Sequence, residues 1–188
     1  MNPIFGAALE IQELCRRKGW RFCFIGGLAV QRWGEPRLTV DVDLTLLTGF
    51  GGEEAYVDEL LAHFAGRLAD ARAFALRHRV VLIQGAAGIP IDVSLGAMPF
   101  EERAVERASA WAIQEGSALF TCSAEDLIVH KAFADREKDW LDIDGVAVRQ
   151  SGRLNADLIW HELDPLLELK GSRSAGERLR KVLESARE

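Results

Sequence analysis

The chain has 188 residues, 48% of them hydrophobic, and a formal charge of −6. That length holds one sizeable core with a helical appendage but not two large domains, and the acidic balance excludes a general nucleic-acid-coating surface, which needs clustered Lys and Arg. No apolar run approaches the roughly 20 residues of a membrane span, and Met1-Asn2-Pro3-Ile4 opens no basic segment followed by an apolar one, so a cytoplasmic protein with no membrane partner is expected.

Asn2-Pro3 reads as an N-cap followed by proline in the first helical turn, and Leu9, Ile11, Leu14 and Cys15 supply an apolar face that ends before Gly19. Trp20 to Ile25 is an aromatic-rich run closed by Gly26-Gly27, which predicts a buried strand entering a tight turn. A short helix is expected over Leu28 to Trp33. From Leu38 to Leu47 the chain alternates, with Leu38, Val40, Val42, Leu44 and Leu46 on one side and Thr39, Asp41, Asp43 and Thr45 on the other, the pattern of a half-buried strand. A glycine-rich loop over 48–52 then precedes a helix marked by Val57, Leu60, Leu61, Phe64 and Leu68.

Arg79 to Gln84 and Ile89 to Leu95 predict two strands joined by Gly85-Ala86-Ala87-Gly88 in an antiparallel hairpin. A short charged helix is expected over Phe100 to Ala110 and a last strand over Ala118 to Cys122. Beyond Ser123 the pattern turns helical, opening on Ser123-Ala124-Glu125-Asp126, a capping-box variant with aspartate in the third helical position. Asp164-Pro165 and Ser174-Ala175-Gly176-Glu177 read as two more helix starts. The expected division is a mixed α/β region over 1–122 and a helical region over 123–188. Cys15, Cys23 and Cys122 form no Cys-x-x-Cys pair and lie in apolar stretches, as buried thiols of a reducing compartment do.

Asp41 and Asp43, two apart on a strand, leave the same face with alpha carbons about 6 to 7 Å apart. Alone, such a pair can simply be the solvent side of a half-buried sheet. Aspartate is depleted from strands, however, and here a third, Asp92, interrupts another apolar strand, Ile89-Pro90-Ile91 to Val93. Neighbouring carboxylates repel unless a cation neutralises them. Magnesium suits such a site, because it takes hard oxygen ligands from one or two carboxylates plus substrate phosphates. With Asp92, one or two ions are expected, one orienting a nucleoside triphosphate and the other activating an acceptor hydroxyl, for which Asp92 is also the candidate base. Gly26-Gly27 at a strand-to-helix turn lets backbone amides approach an anion.

Phe24-Ile25-Gly26-Gly27, then Arg37-x-Thr39-x-Asp41-x-Asp43-Leu44, then Ile91-Asp92-Val93 resemble, in order, the signature of the nucleotidyltransferase superfamily related to DNA polymerase beta. The continuation Glu125-Asp126-Leu127-Ile128-x-x-Lys131-x-x-Ala134-x-Arg136-x-Lys138-Asp139 is similar to the AbiEii-type group, known largely as toxins of toxin-antitoxin and phage-defence systems. The likeness runs from about Phe22 to Asp142. It implies an α+β fold, a mixed β-sheet flanked by helices, with a C-terminal helical bundle. It further implies Asp41, Asp43 and Asp92 as catalytic metal ligands, and Gly26 and Gly27 beside the triphosphate. Lys131 would face the phosphates, and Arg37, Thr39 and Asp139 would belong to the nucleotide site. Relatives often carry serine where Gly27 stands, so Gly27 offers only backbone donors.

On residue pattern alone, Lys131, Arg136 and Lys138 also read as a solvated helix face balanced by Asp135, Glu137 and Asp139. His63, His78, His130 and His161 show no metal-ligand spacing, and the five tryptophans are scattered, as core residues are. The expected activity moves a nucleoside monophosphate from a triphosphate to a hydroxyl with release of pyrophosphate. The acceptor is open among tRNA, protein and small molecule, with RNA or protein favoured, and a cognate antitoxin is an expected partner. The alternative is a weakly active or inactive protein of the same fold acting as a binding partner.

Overall fold

The computed structural model describes residues 2–171 and 173–186. It runs α1 (Pro3–Arg17), β1 (Phe22–Phe24), α2 (Gly26–Trp33), β2 (Val42–Leu47), α3 (Glu53–His63), β3 (Ala65–Gly66), α4 (Ala71–His78), β4 (Val80–Gln84), β5 (Pro90–Gly96), α5 (Pro99–Glu106), β6 (Ser109–Gln114) and β7 (Ser117–Thr121). Four helices follow: α6 (Ala124–Ala134), α7 (Glu137–Arg149), α8 (Ala156–Lys170) and α9 (Ser174–Ser185). Among the described residues the strands form one mixed sheet in the order β3-β4-β5-β2-β1-β7-β6. The pairs β2/β5 and β1/β7 are parallel and the others antiparallel. This is the expected α+β class. Among the described residues no helix is long and apolar enough to cross a membrane.

Met1–Leu28 with Leu38–Cys122 makes one compact unit and Ala29–Arg37 with Ser123–Glu188 another. In the sheet unit, period-two alternation sends Val42, Leu44 and Leu46 of β2 and Ile91, Val93 and Leu95 of β5 into one core with Ile4, Ile11 and Leu14 of α1 and Val57 and Leu60 of α3. Each such side chain contributes on the order of 1.5–3 kcal/mol when fully buried. The opposite parity, Asp43 and Thr45 of β2 with Asp92 and Ser94 of β5, therefore shares the other face.

β2 is shorter than its alternation predicts. Residues 38–41 are not strand, and Leu38 and Val40 are 86% and 66% exposed. The reason lies in the neighbours. The last β1 partner is Phe24, opposite Leu44, before the chain turns into α2, and on the other side pairing ends at Ile91 opposite Val42, just after Pro90, which has no N–H to offer. Backbone beyond Val42 has no ladder to join. Further on, the helix expected over 100–110 stops at Glu106, and Ser109–Gln114 is instead the edge strand β6, held antiparallel on β7. β3 and α4 are also additions to the expected elements.

In the helical unit Ser123 caps α6, its Oγ accepting from the Asp126 amide at 3.1 Å, and Leu127, Ile128, Trp140, Ile143, Val146, Ile159, Leu163 and Leu179 are buried. Pro165 does not start a helix, as Asp164-Pro165 suggested. It lies inside α8, which begins at the Asn155 cap, where Oδ1 accepts from the Leu158 amide. An interior proline costs about 3 kcal/mol in isolation; burial of Leu163, Leu166 and Leu167 around it offsets that. The segment 29–37, placed by sequence in the first region, belongs to this unit. Gln150 donates to Trp33 O at 2.9 Å and Arg149 to Gly34 O at 2.5 Å, and a Cβ on Gly145 would stand 3.1 Å from Glu35 N. These contacts span more than a hundred residues, so no local pattern announces them.

Gln12, 3% exposed on the inner face of α1, donates to Ala118 O at 2.8 Å and accepts from Phe120 N at 3.1 Å. It thereby satisfies two backbone groups of β7, a strand bridged to β1 only at Phe24 and Thr121. Gln12→Leu strands both groups at an expected cost of about 2–3 kcal/mol. The check is urea unfolding, with a lower midpoint and an unchanged slope.

Candidate active site

The three carboxylates singled out by sequence all lie on one face of the sheet unit. Asp43 stands directly opposite Asp92 in the parallel β2/β5 register, and Asp41 is two residues before Asp43, just ahead of the strand. Asp41 raises the pKa of Asp92 through its charge, as a nearby like charge must. The Asp92 carboxyl is pushed above its usual range chiefly by burial, with Asp41 adding to this and Arg67 working against it. Arg67, which follows β3, donates to Asp92 Oδ1.

The glycine turn is bound to this cluster by main chain and by shape. Ile25 N donates to Asp43 O at 3.0 Å, and Gly26 has φ +55°, a left-handed conformation suited to glycine. A Cβ there would lie 2.1 Å from Asp43 Oδ2, and one on Gly27 would lie 2.2 Å from Thr39 Oγ1. Both glycines are therefore required by the side chains packed on them, a reason separate from exposing amides to an anion. Thr39, 5% exposed, places Oγ1 3.1 Å from Asp41 Oδ1 and 3.2 Å from Asp41 O, so its one proton serves the carboxylate or the carbonyl. Gly26, Gly27, Thr39, Asp41, Asp43 and Asp92 thus form one cluster.

Arg37, Lys131 and Asp139 form a second cluster, within the helical unit. Lys131, with 7% of its side chain exposed, puts Nζ 2.9 Å from Asp139 Oδ1 and 2.7 Å from Asp142 Oδ2. Arg37 closes on Asp142 with two bonds, at 2.7 and 2.9 Å, and Arg136 on Asp139 at 2.5 and 3.2 Å. Burial opposes the charge on both aspartates, but hydrogen bonds and charges from Arg136 and Lys131 on Asp139, and from Arg37 and Lys131 on Asp142, outweigh it and hold both carboxyls below the usual range. Lys131 and Asp139 thus belong to a buried ionic core, whereas Arg136, Glu137 and Lys138 are exposed, as the solvated-face reading expected.

Two residues escaped the sequence reading. Asp142 sits one helical turn after Asp139, and that i, i+3 spacing is the signal that could have found it. Arg67 lies in a short polar stretch with no periodicity, and nothing local marks it. Cys15, Cys23 and Cys122 are all buried, and burial pushes the Cys15 thiol up to about 12, leaving it unreactive.

The donor set fits a hard divalent cation. Asp41, Asp43 and Asp92 offer only carboxylate oxygens, Asp41 is close enough to Asp92 to act on it by charge, and the missing Cβ of Gly26 leaves room for Asp43 Oδ2. Among the described residues, no group of three or more His, Cys, Asp or Glu is already arranged to hold a metal ion.

The mixed seven-stranded sheet with its flanking helices has the fold of nucleotidyltransferase structures. A solution structure of the antibiotic-resistance factor ANT(2'')-Ia, described as showing substrate-regulated conformation dynamics, is similar to this chain with a TM-score of 0.59 at 14% identity, over 91% of this chain and 95% of that one. A crystal structure of an antigenic nucleotidyltransferase-like protein from Paracoccidioides brasiliensis is similar with a TM-score of 0.49 at 12% identity, over 95% and 86%. No curated protein matches the sequence. The family model described as nucleotidyl transferase AbiEii toxin, type IV TA system, matches residues 14–185, and the chain belongs to that family.

Lys131→Met removes the cation shared by two buried carboxylates. The expected loss is about 3 kcal/mol at pH 7, the low end for breaking a buried pair, because Arg37 and Arg136 remain. The folded-state pKa values of Asp139 and Asp142 lie below their unfolded values, so this stabilisation is present above about pH 4 and fades as pH falls through the folded values. Urea unfolding of both proteins at pH 7 and pH 3 checks this, with the gap between them shrinking at pH 3.

Proposed function

We propose that this protein transfers a nucleoside monophosphate from a nucleoside triphosphate to an acceptor hydroxyl, as the toxin of a toxin-antitoxin pair. The observation that carries the reading is the β2/β5 register, which sets Asp43 opposite Asp92 with Asp41 beside them on one face. The acceptor oxygen forms a bond to the alpha phosphorus, the bond from that phosphorus to the beta-phosphate oxygen breaks, and pyrophosphate leaves. Asp92 takes the acceptor proton as the general base. Thr39 orients Asp41, and the turn at Gly26-Gly27 offers backbone amides to the phosphates. Magnesium held by Asp41 and Asp43, with Asp92 as third ligand, would supply positive charge to the triphosphate and to the leaving pyrophosphate.

The resemblance implies triphosphate contacts for Arg37, Lys131 and Asp139 as well. The Arg37 side chain, 43% exposed, has surface to offer an anion. Lys131 would have to exchange Asp139 or Asp142 for a phosphate, since both now hold it. The presence of all three carboxylates weighs against an inactive partner protein. Fold and metal chemistry do not specify the acceptor. Incubation with each alpha-labelled triphosphate, magnesium and a cell extract separates RNA, protein and small molecules by where the label enters.

Asp41→Asn and Asp43→Asn are expected to abolish that labelling with the fold retained. Asp92→Asn is expected to bind triphosphate nearly as the unsubstituted protein does, while single-turnover transfer falls at least about a hundredfold, as for loss of a general base. A triphosphate titration beside the single-turnover assay reads both. Transfer at the original rate in any of the three variants overturns the assignment.

A further inference from the structure

Asp92 has a cation beside it already. The Arg67 amide donates to Leu82 O at 2.9 Å, and Leu82 is the β4 residue opposite Asp92. Arg67 therefore stands across β4 from Asp92, and its side chain reaches over that strand to Oδ1. On its other side Asp92 looks onto β2, where Asp43 is its register partner and Asp41 is close enough to act on it by charge. The third carboxylate is thus shared between a guanidinium from the β3 side and the like charge of Asp41 from the β2 side. The ion pair is accessible to exchange, with about a third of each side chain exposed.

We propose that Arg67 is a built-in counter-ion for the carboxylate cluster, competing with a divalent cation for Asp92, so that the Arg67–Asp92 pair and occupation of the full three-carboxylate site oppose one another. The proposal rests on the metal-dependent reading above. Without a cation, the guanidinium relieves repulsion among three carboxylates that the strand register forces together. With a cation shared by Asp43 and Asp92, the guanidinium on Asp92 Oδ1 would be a like charge nearby and would compete for that oxygen, so each weakens the other. Opening the pair frees Oδ1 and gives the cation both oxygens of its third carboxylate.

The test uses the full chain without nucleotide and compares the unsubstituted protein, Arg67→Gln and Arg67→Lys. Manganese affinity is read by electron paramagnetic resonance, and the thermal midpoint is read in chelator and in magnesium. If the paired state holds about nine-tenths of the unliganded protein, Arg67→Gln binds manganese about tenfold more tightly. Its midpoint falls in chelator, and magnesium raises it by more than it raises that of the unsubstituted protein. Arg67→Lys, which keeps the charge without the planar fork, lies between the two and carries the comparison if Arg67→Gln does not fold. Manganese affinity in both variants equal to or weaker than in the unsubstituted protein overturns the counter-ion role and leaves the metal site standing. Absence of manganese binding in all three proteins without nucleotide overturns this proposal, and its absence also when a non-hydrolysable nucleoside triphosphate is added overturns the metal reading.

Discussion

The structure turns on one contact between strands: the parallel pairing of β2 with β5, which sets Asp43 directly opposite Asp92. Paired strands lie about 4.8 Å apart, so two carboxylates on one face at the same level repel, and Asp41 adds a third. The surrounding residues answer that repulsion. Arg67 reaches across β4 to one carboxylate, and the Thr39 hydroxyl lies against another. The glycine turn yields its Cβ positions so that Asp43 and Thr39 can close on it. A hydrophobic core on the opposite face, from α1, α3 and the inward residues of β2, β4 and β5, holds the register rigid while the charged face carries the strain. A one-residue slip would exchange the faces and bury the carboxylates.

The helical unit meets charge in another way, by burying Lys131, Asp139 and Asp142 in a paired network that two partly exposed arginines complete. Lys131 lies between Asp139 and Asp142, each of which also holds an arginine, so three cations and two carboxylates satisfy one another between α6 and α7. Such a network is a poor source of net stability compared with apolar packing, but losing one member is costly. It thereby pins the relation of these two helices and of the 29–37 segment, whose Arg37 is one of its members.

Membership of the AbiEii family and the likeness of fold to ANT(2'')-Ia agree on the scaffold. A fold shared at 14% identity carries the scaffold and not the acceptor. What distinguishes relatives on such a scaffold is the chemistry placed around the carboxylates. Here that includes Gly27, with Thr39 filling the space beside it.

The period-two pattern of β2, the Asp-x-Asp spacing, the caps at Asn2 and Ser123 and the hairpin of β4 and β5 were all readable in the chain, because each depends on residues a few positions apart. The length of β2 was not, since Leu38 and Val40 continue the alternation but have no neighbouring strand to pair with. Pro165 misled for a related reason: its local preference for a helix start yields to the apolar packing of α8. Asp41, Asp43 and Asp92 could be named from sequence, yet that they share a face and that Arg67 meets one of them followed only from strand order. Likewise Lys131 could be picked out, but not its capture by Asp139 and Asp142. The sequence by itself determined which residues could carry charge and which face of each element they occupy, because those depend on backbone period. The tertiary structure alone decided which charges meet, because pairing register and helix packing bring together residues whose separation along the chain leaves no local trace.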